Sequence, residues 1–211
     1  HILLLQLFWS GAVLLGEVPG GVVADRFGAK ASFLIGVILK IGSLSILVFA
    51  NDPWVFFLFS AINGFAVTFF SGADEALIYE SLKEDNDHHR MDRAMGKIQS
   101  AGFISMILAV LLGAYMAKDL RDEQFILLIV LGIAFHLFEL ILIFFVKSPA
   151  NSGSYRDNPF KQVASGIKAI RQAPTLLLLF VNFTFVFIAA DSVYEAFNQP
   201  IFTNAGLPVV M

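Results

Sequence analysis

Asp25, Arg26 and Lys30 crowd into the stretch "PGGVVADRFGAKASF" (19–33) of a chain that is 57% hydrophobic and only 15% charged. Such a cluster suits a tight turn between two helices, where Asp25 can cap the following helix and offer an anion to a facing helix N-terminus. The glycines around them let the backbone turn and let helices approach closely. A second set of ionisable groups, Glu17, Lys40, Asp74, Glu75, His136, Glu139 and Asp191, lies inside apolar runs. A charge in hydrocarbon costs about 2.5–3.5 kcal/mol on insertion scales, so each of these needs a partner or a task.

Little of this points to bond-making chemistry. The chain has no cysteine, which excludes disulfides, thiolate nucleophiles and cysteine metal sites. His136 and Glu139 are three apart and share a helix face, which favours a hydrogen-bonded pair over a metal site, since a metal needs more ligands. In "KEDNDHHRMD", nothing enforces geometry on Asp85, Asp87, His88 and His89, so a solvated charge cluster is expected. Neither a metal, a cofactor nor a nucleic-acid partner is expected.

The elements that must position these groups are membrane helices. With 23 phenylalanines in 211 residues and a mean hydropathy of +0.76, the chain has more apolar surface than a water-soluble globule can bury. A spanning helix needs about 20 apolar residues. Six stretches qualify, roughly 1–22, 31–50, 54–78, 97–117, 124–146 and 175–197. No ten-residue alternation of a barrel is present, so an all-α membrane protein is expected. Asn51-Asp52-Pro53 and Pro174 are helix-start signals for the third and sixth stretches. Pro19 is expected to kink the first, and Gly16–Gly20 and Gly72–Ala76 read as small-residue packing seams.

Eleven of the lysines and arginines fall in the connections 23–30, 79–97 and 147–173, and two in the alternate connections. The positive-inside rule makes the first group cytoplasmic. The first stretch then begins outside, already within a helix, as expected of a chain that has lost a preceding span. The connection 147–173 opens with polar "KSPANSGSYRDNP", and Phe160, Val163, Ile167 and Ile170 then recur at helical spacing, predicting an amphipathic interfacial helix. The expected organisation is an N-terminal bundle over 1–147, a cytoplasmic linker over 148–173, and over 174–211 the first helix of a second bundle with the start of its following loop.

The pattern Gly21-x-x-x-Asp25-Arg26-x-Gly28-x-Lys30, in a cytoplasmic turn between two spans, resembles the signature loop between the second and third helices of the major facilitator superfamily. In that register 147–173 falls on the family's central loop, and "FNQPIFTNAGLP" resembles the connection after its seventh helix. The resemblance implies a partial helical bundle with about six of twelve transmembrane helices, in the cytoplasmic (inner) membrane. It implies a secondary transporter that moves a small solute, with or without protons, by alternating access, and whose missing C-terminal half is a partner. Asp25 and Arg26 would latch the two halves at the cytoplasmic side, and Gly28 and Lys30 would shape the loop. Ala29 stands where the family often has a second basic residue. Ser60 in "FSAINGF" stands near the position of an arginine of many proton-driven members. "AVLLGAY" stands where drug antiporters carry Gly-Pro-x-x-Gly-Gly, so the resemblance extends to membership further than to proton-coupled drug export.

Folding 1–50 as a hairpin about residues 27–28 brings Lys40, ~15 Å above the turn, level with residue 15 and within a turn of Glu17. A Lys40–Glu17 pair is expected, either as a structural lock or as part of a coupling site. Asp74 and Glu75 lie near the cytoplasmic end of the third stretch, a cavity-lining helix by resemblance, as a proton-binding or gating carboxylate or as interfacial packing. Asn63 and Asn182, on the helices that by resemblance would line the cavity from opposite halves, are candidates for substrate contact or for bridging helices, and Asp191, near the outer end of the sixth stretch, for an outer gate or binding group. The rival readings are an intramembrane enzyme, which lacks a nucleophile–base constellation, and a channel, which lacks a filter motif.

Overall fold

A computed structural model describes residues 2–84, 87–119, 121–147, 168 and 171–188. Every regular element among them is helical. In chain order these are α1 (Ile2–Phe27), α2 (Ala29–Val48), α3 (Pro53–Val67), α4 (Ala73–Glu84), a 3-10 turn (His88–Arg90), α5 (Met91–Met116), α6 (Asp122–Phe145) and α7 (Pro174–Phe183), which runs on as a π-helical turn (Thr184–Ile188). The chain divides into two compact units, His1–Tyr155 and Arg156–Met211. Helices α1 to α6 make up the first, and α7 lies in the second.

Among the described residues, four helices are long and apolar enough to cross a membrane, Leu3–Phe27, Ala29–Val48, Met91–Met116 and Asp122–Phe145. They cover the first, second, fourth and fifth expected stretches. The third, expected as one helix over 54–78, is instead two. Helix α3 ends after 15 residues, about 22 Å at 1.5 Å per residue and short of a ~30 Å hydrocarbon core. Its ladder first tightens, with the amides of Thr68, Phe69 and Phe70 bonding three residues back to Phe65, Ala66 and Val67. Gly72 then takes the left-handed conformation at φ 72°, and α4 starts afresh at Ala73. The backbone thus turns without abandoning its internal hydrogen bonds, as burial in hydrocarbon requires. Gly72 is a turn residue with open space beside it, and the expected Gly72–Ala76 packing seam is not formed.

In the first unit α2 packs against α6, α3 and α1, and α1 packs against α3. The seams are built from small side chains. Ser32, Gly36 and Ser43 of α2 and Ser60, Gly64 and Ala66 of α3 are buried, while the large side chains of Leu14, Leu15, Phe135 and Phe145 stand outside. Small residues let backbones close up where lipid tails compete equally for leucine. Gly16 and Gly20 form such a seam, since a Cβ at either would lie within 2.7 Å of Thr68. Pro19 lies inside α1, which runs unbroken to Phe27. Helix α5 has no buried residue.

Loop chemistry is met in part. Asp52 stands at the N-cap of α3 in extended conformation with Pro53 following, although its side chain makes no capping bond. Pro174 opens α7. The amphipathic segment expected around 160–170 and the "FNQPIFTNAGLP" segment lie outside the described residues, apart from Lys168.

Candidate functional site

The expected loop 23–30 shrinks to one residue. Helix α1 continues through Arg26 to Phe27, and only Gly28, at φ 83°, ψ 160°, separates it from α2. That positive φ suits glycine alone among common residues. Gly28 is also buried, and it keeps the ladder going by donating to Ala24 while accepting from Ser32. Asp25 is therefore not the N-cap of α2 as its place in the sequence allowed. The cap position belongs to Gly28, and Asp25 is an exposed residue in the last turn of α1.

Asp25 opens on a cleft of about 230 Å³ between this turn and the start of α4. Its floor is made of small residues, Gly21 and Ala24 on one side and Gly72, Ala73 and Ala76 on the other. Its carboxylates are Asp25 and Glu80. Ala76 and Glu80 are four apart and share the face of α4 that closes the cleft, with Gly72 in the turn before it. A recess with a glycine and alanine floor and carboxylates at its rim accepts the close approach of another backbone, and favours one that presents free N–H groups.

Of the two cations near the cleft, Lys30 has other work. Lys30 leaves the turn, and its Nζ donates to the carbonyl oxygens of Phe144 at 2.8 Å and Val146 at 3.0 Å, tying α2 to the C-terminus of α6. Arg26 is exposed at the end of α1.

Higher in the same seam, Lys40 does not pair with Glu17. Its Nζ lies 4.8 Å from the centroid of the Phe70 ring, which stacks on Phe33. Glu17 is exposed, and no ion pair joins the two. The hairpin argument took no account of the turn after α3, which inserts Phe70 against Gly36 of α2 and puts a ring face under the ammonium. The same turn is held by Ser32 Oγ, which donates to the carbonyl of Phe69 at 2.7 Å from a fully buried position.

The arrangement is one of helix ends, small-residue seams and a charged turn, with the turn at the sequence pattern first singled out. A family model described as Major Facilitator Superfamily matches residues 2–208 of the 211. The chain belongs to the major facilitator superfamily. As a superfamily member with long apolar helices it is a multi-pass membrane protein. It is similar to the protein named Multidrug resistance protein MdtH of Klebsiella pneumoniae (strain 342), 27% identical over 99 residues, 47% of this chain and 24% of that one. It is likewise 27% identical over 126 residues to the protein of that name from Yersinia enterocolitica, 54% of this chain and 30% of the relative. The chain thus covers less than a third of the length of these curated relatives. No solved structure matches it.

The other candidate residues of this superfamily member fall in several places. Asp74 and Glu75 are not deep in a long span. They are exposed in the first turn of α4, where Asp74 Oδ1 accepts the amide of Glu75 at 2.9 Å and carboxylates suit the helix N-terminus. Asn63 is half-buried on α3, and Asn182 is exposed on α7 in the second unit. Asp191 lies outside the described residues. His136 and Glu139 do meet, Nδ1 to Oε2 at 2.7 Å. Asp87 reaches His89 at 3.5 Å and Arg90 at 3.2 Å. Sequence reasoning missed Ser32, Phe70 and Glu80. Only Glu80 had a legible signal, its four-residue spacing from Ala76 and Gly72.

Proposed function

We propose that this chain belongs to a secondary transporter that moves small solutes across the cytoplasmic membrane by alternating access, and that the Asp25 cleft is where its two halves lock at the cytoplasmic face. The observation that carries the reading is the cleft itself. A carboxylate stands over a glycine and alanine floor, at a turn held rigid by Gly28 and by the Lys30 anchor, so that a helix end from elsewhere in the protein can enter and leave. The weight of lysine and arginine in connections 23–30, 79–97 and 147–173 supports placing this face in the cytoplasm. Latching of this kind supplies the two discrete states that rocking transport needs.

Lys40 is the leading candidate for a coupling role, because it is a half-buried cation inside the bundle with an aromatic face and, among the described residues, no carboxylate as its partner. Asn63 is the candidate for solute contact from the first unit. The relatives' name, Multidrug resistance protein, gives the solute class to try first, drugs of several kinds.

The test uses the full-length protein in proteoliposomes. Saturable flux that rises with an imposed proton gradient is expected, and Asp25→Leu should cut the initial rate at least ~10-fold while the protein still purifies as a monodisperse species, a loss of about 1.4 kcal/mol of latch energy or more. Ohmic, non-saturating conductance would replace the transporter reading with a channel.

A further inference from the structure

Helix α6 is the most apolar of the four long helices, and between Glu123 and Lys147 its only ionisable side chains are His136 and Glu139. His136 lies about 14 Å from the cytoplasmic end of the helix, well inside the hydrocarbon. The two side chains bond to each other, Nδ1 to Oε2 at 2.7 Å, within the range of charge-assisted hydrogen bonds. Sharing one titratable proton, the pair carries no net charge, whichever atom holds it. Without that proton a bare carboxylate is left in the membrane, which is costly unless a cation answers it.

Both residues are on the face of α6 that meets α2. Gly132, His136, Glu139 and Ile143 are four, three and four apart. A Cβ on Gly132 would meet Leu44 of α2 at 3.5 Å, Ile143 is buried, and His136 and Glu139 between them are half-buried. The two helices run antiparallel, with Lys30 at Phe144 and Val146, and Leu44 at Gly132. Counting between those two contacts puts Lys40 level with His136. Lys40 is four residues from Leu44, so it shares the stripe of α2 that faces α6. Packed helix axes are about 8–10 Å apart, a gap that the long lysine and glutamate side chains can close together. The Lys40 ammonium instead lies on the Phe70 ring, and no ion pair joins it to Glu139.

Among the described residues, no other charge stands at this level. Of the helices packed on α6, α2 offers only Lys30, which is held by the α6 carbonyls, and Lys40, and α5 has no ionisable side chain between Lys97 and Tyr115. Of those packed on α2, α3 has none, and Glu17 of α1 is exposed and unpaired with Lys40. Asp25 and Arg26 of α1 lie at the Gly28 turn, and α4, with Asp74, Glu75 and Glu80, starts beside that turn, 12 residues below Lys40.

We infer that His136 and Glu139 form a proton-binding site within the α2–α6 seam, and that Lys40 competes with the proton for the Glu139 carboxylate. With the proton bound, the pair is neutral and the ammonium rests on Phe70. When the proton leaves to water, the imidazole is neutral and the carboxylate bare, and the ammonium, keeping its own protons, moves from the ring to the carboxylate. The three groups pass from one net positive charge to none. Proton loss thus creates an ion pair across the seam. This supplies a ligand for the coupling role proposed for Lys40, and rests on that reading only for its use in transport.

A double-mutant cycle on the full-length protein, read as melting midpoints at acid and at alkaline pH, tests the site without a solute. Lys40→Met should leave the midpoint unchanged at acid pH and lower it by a few degrees at alkaline pH, because only the deprotonated pair draws the ammonium. In a Glu139→Gln background the same substitution should act equally at both pH values, since an amide does not titrate. Lys40→Arg, which keeps the charge, should follow the parent at both. A Lys40–Glu139 coupling that is the same at both pH values would make the contact static and overturn the proton site. Absence of coupling at either pH would overturn the competition with Lys40. The readout is unfolding, so a lack of solute flux would remove the transport reading without altering either result.

Discussion

Lys30 and Phe144 lie 114 residues apart in sequence, yet the Lys30 ammonium donates to the Phe144 carbonyl at 2.8 Å and to that of Val146 at 3.0 Å. These carbonyls sit at the C-terminus of α6, whose last turn has no intrahelical donors of its own and carries the negative end of the helix dipole. One cation thus closes α6 and fastens it beside the turn that carries Asp25.

Replacing Lys30 by Gln removes the charge and one of the two bonds. Stability should fall by about 2 kcal/mol, within the range of hydrogen bonds to charged groups, and hydrogen exchange should accelerate at residues 143–147 before it does elsewhere. Thermal unfolding and exchange on the full-length protein check both. Unchanged exchange at 143–147 would mean that the anchor contributes nothing.

Ser32→Ala leaves the Phe69 carbonyl in the turn after α3 without its side-chain donor. Ser32 is fully buried, so water does not replace the hydroxyl. The expected loss is about 1–2 kcal/mol by thermal unfolding. Ser45→Ala, whose hydroxyl only bonds back one turn to Ile41 within α2, should change stability by less than ~0.5 kcal/mol.

The α1–α3 seam should distinguish sharply among glycines. A methyl at Gly20 would stand 2.5 Å from the Thr68 carbonyl oxygen, and one at Gly64 would run into the Trp9 backbone, and neither obstacle can rotate aside. Gly20→Ala and Gly64→Ala should each cost about 1–3 kcal/mol through overpacking. Gly11→Ala and Gly102→Ala meet open space and should be neutral. Melting midpoints of the four variants give the ranking.

Lys40→Met separates structure from transport. The substitution removes a charge whose burial is costly and a cation–π contact worth up to about 2 kcal/mol, two effects that largely cancel. The melting midpoint should stay within a few degrees of the parent while flux in proteoliposomes falls. Normal flux in a stable Lys40→Met protein would leave Lys40 a packing residue only.

By itself, the sequence determined the helical class, the positions of most spans, the charged turn at 19–33 and the membership that its Gly-x-x-x-Asp-Arg-x-Gly-x-Lys pattern signals. It did so because hydrocarbon forces every backbone group into local hydrogen bonds, which leaves apolar run lengths and glycine positions readable along the chain. The helix-start signal at Pro53 and the His136–Glu139 pair were legible for the same reason, as both depend on residues within one turn. Tertiary structure alone decided that Lys40 faces Phe70 and not Glu17, that Lys30 closes α6, that Ser32 holds the Phe69 carbonyl, and that Glu80 shares the cleft with Asp25. Each of those contacts joins residues more than 25 positions apart. All but the Lys30 anchor depend on where the chain turns after α3, which a left-handed glycine at position 72 marks and which an apolar run from 54 to 78 conceals.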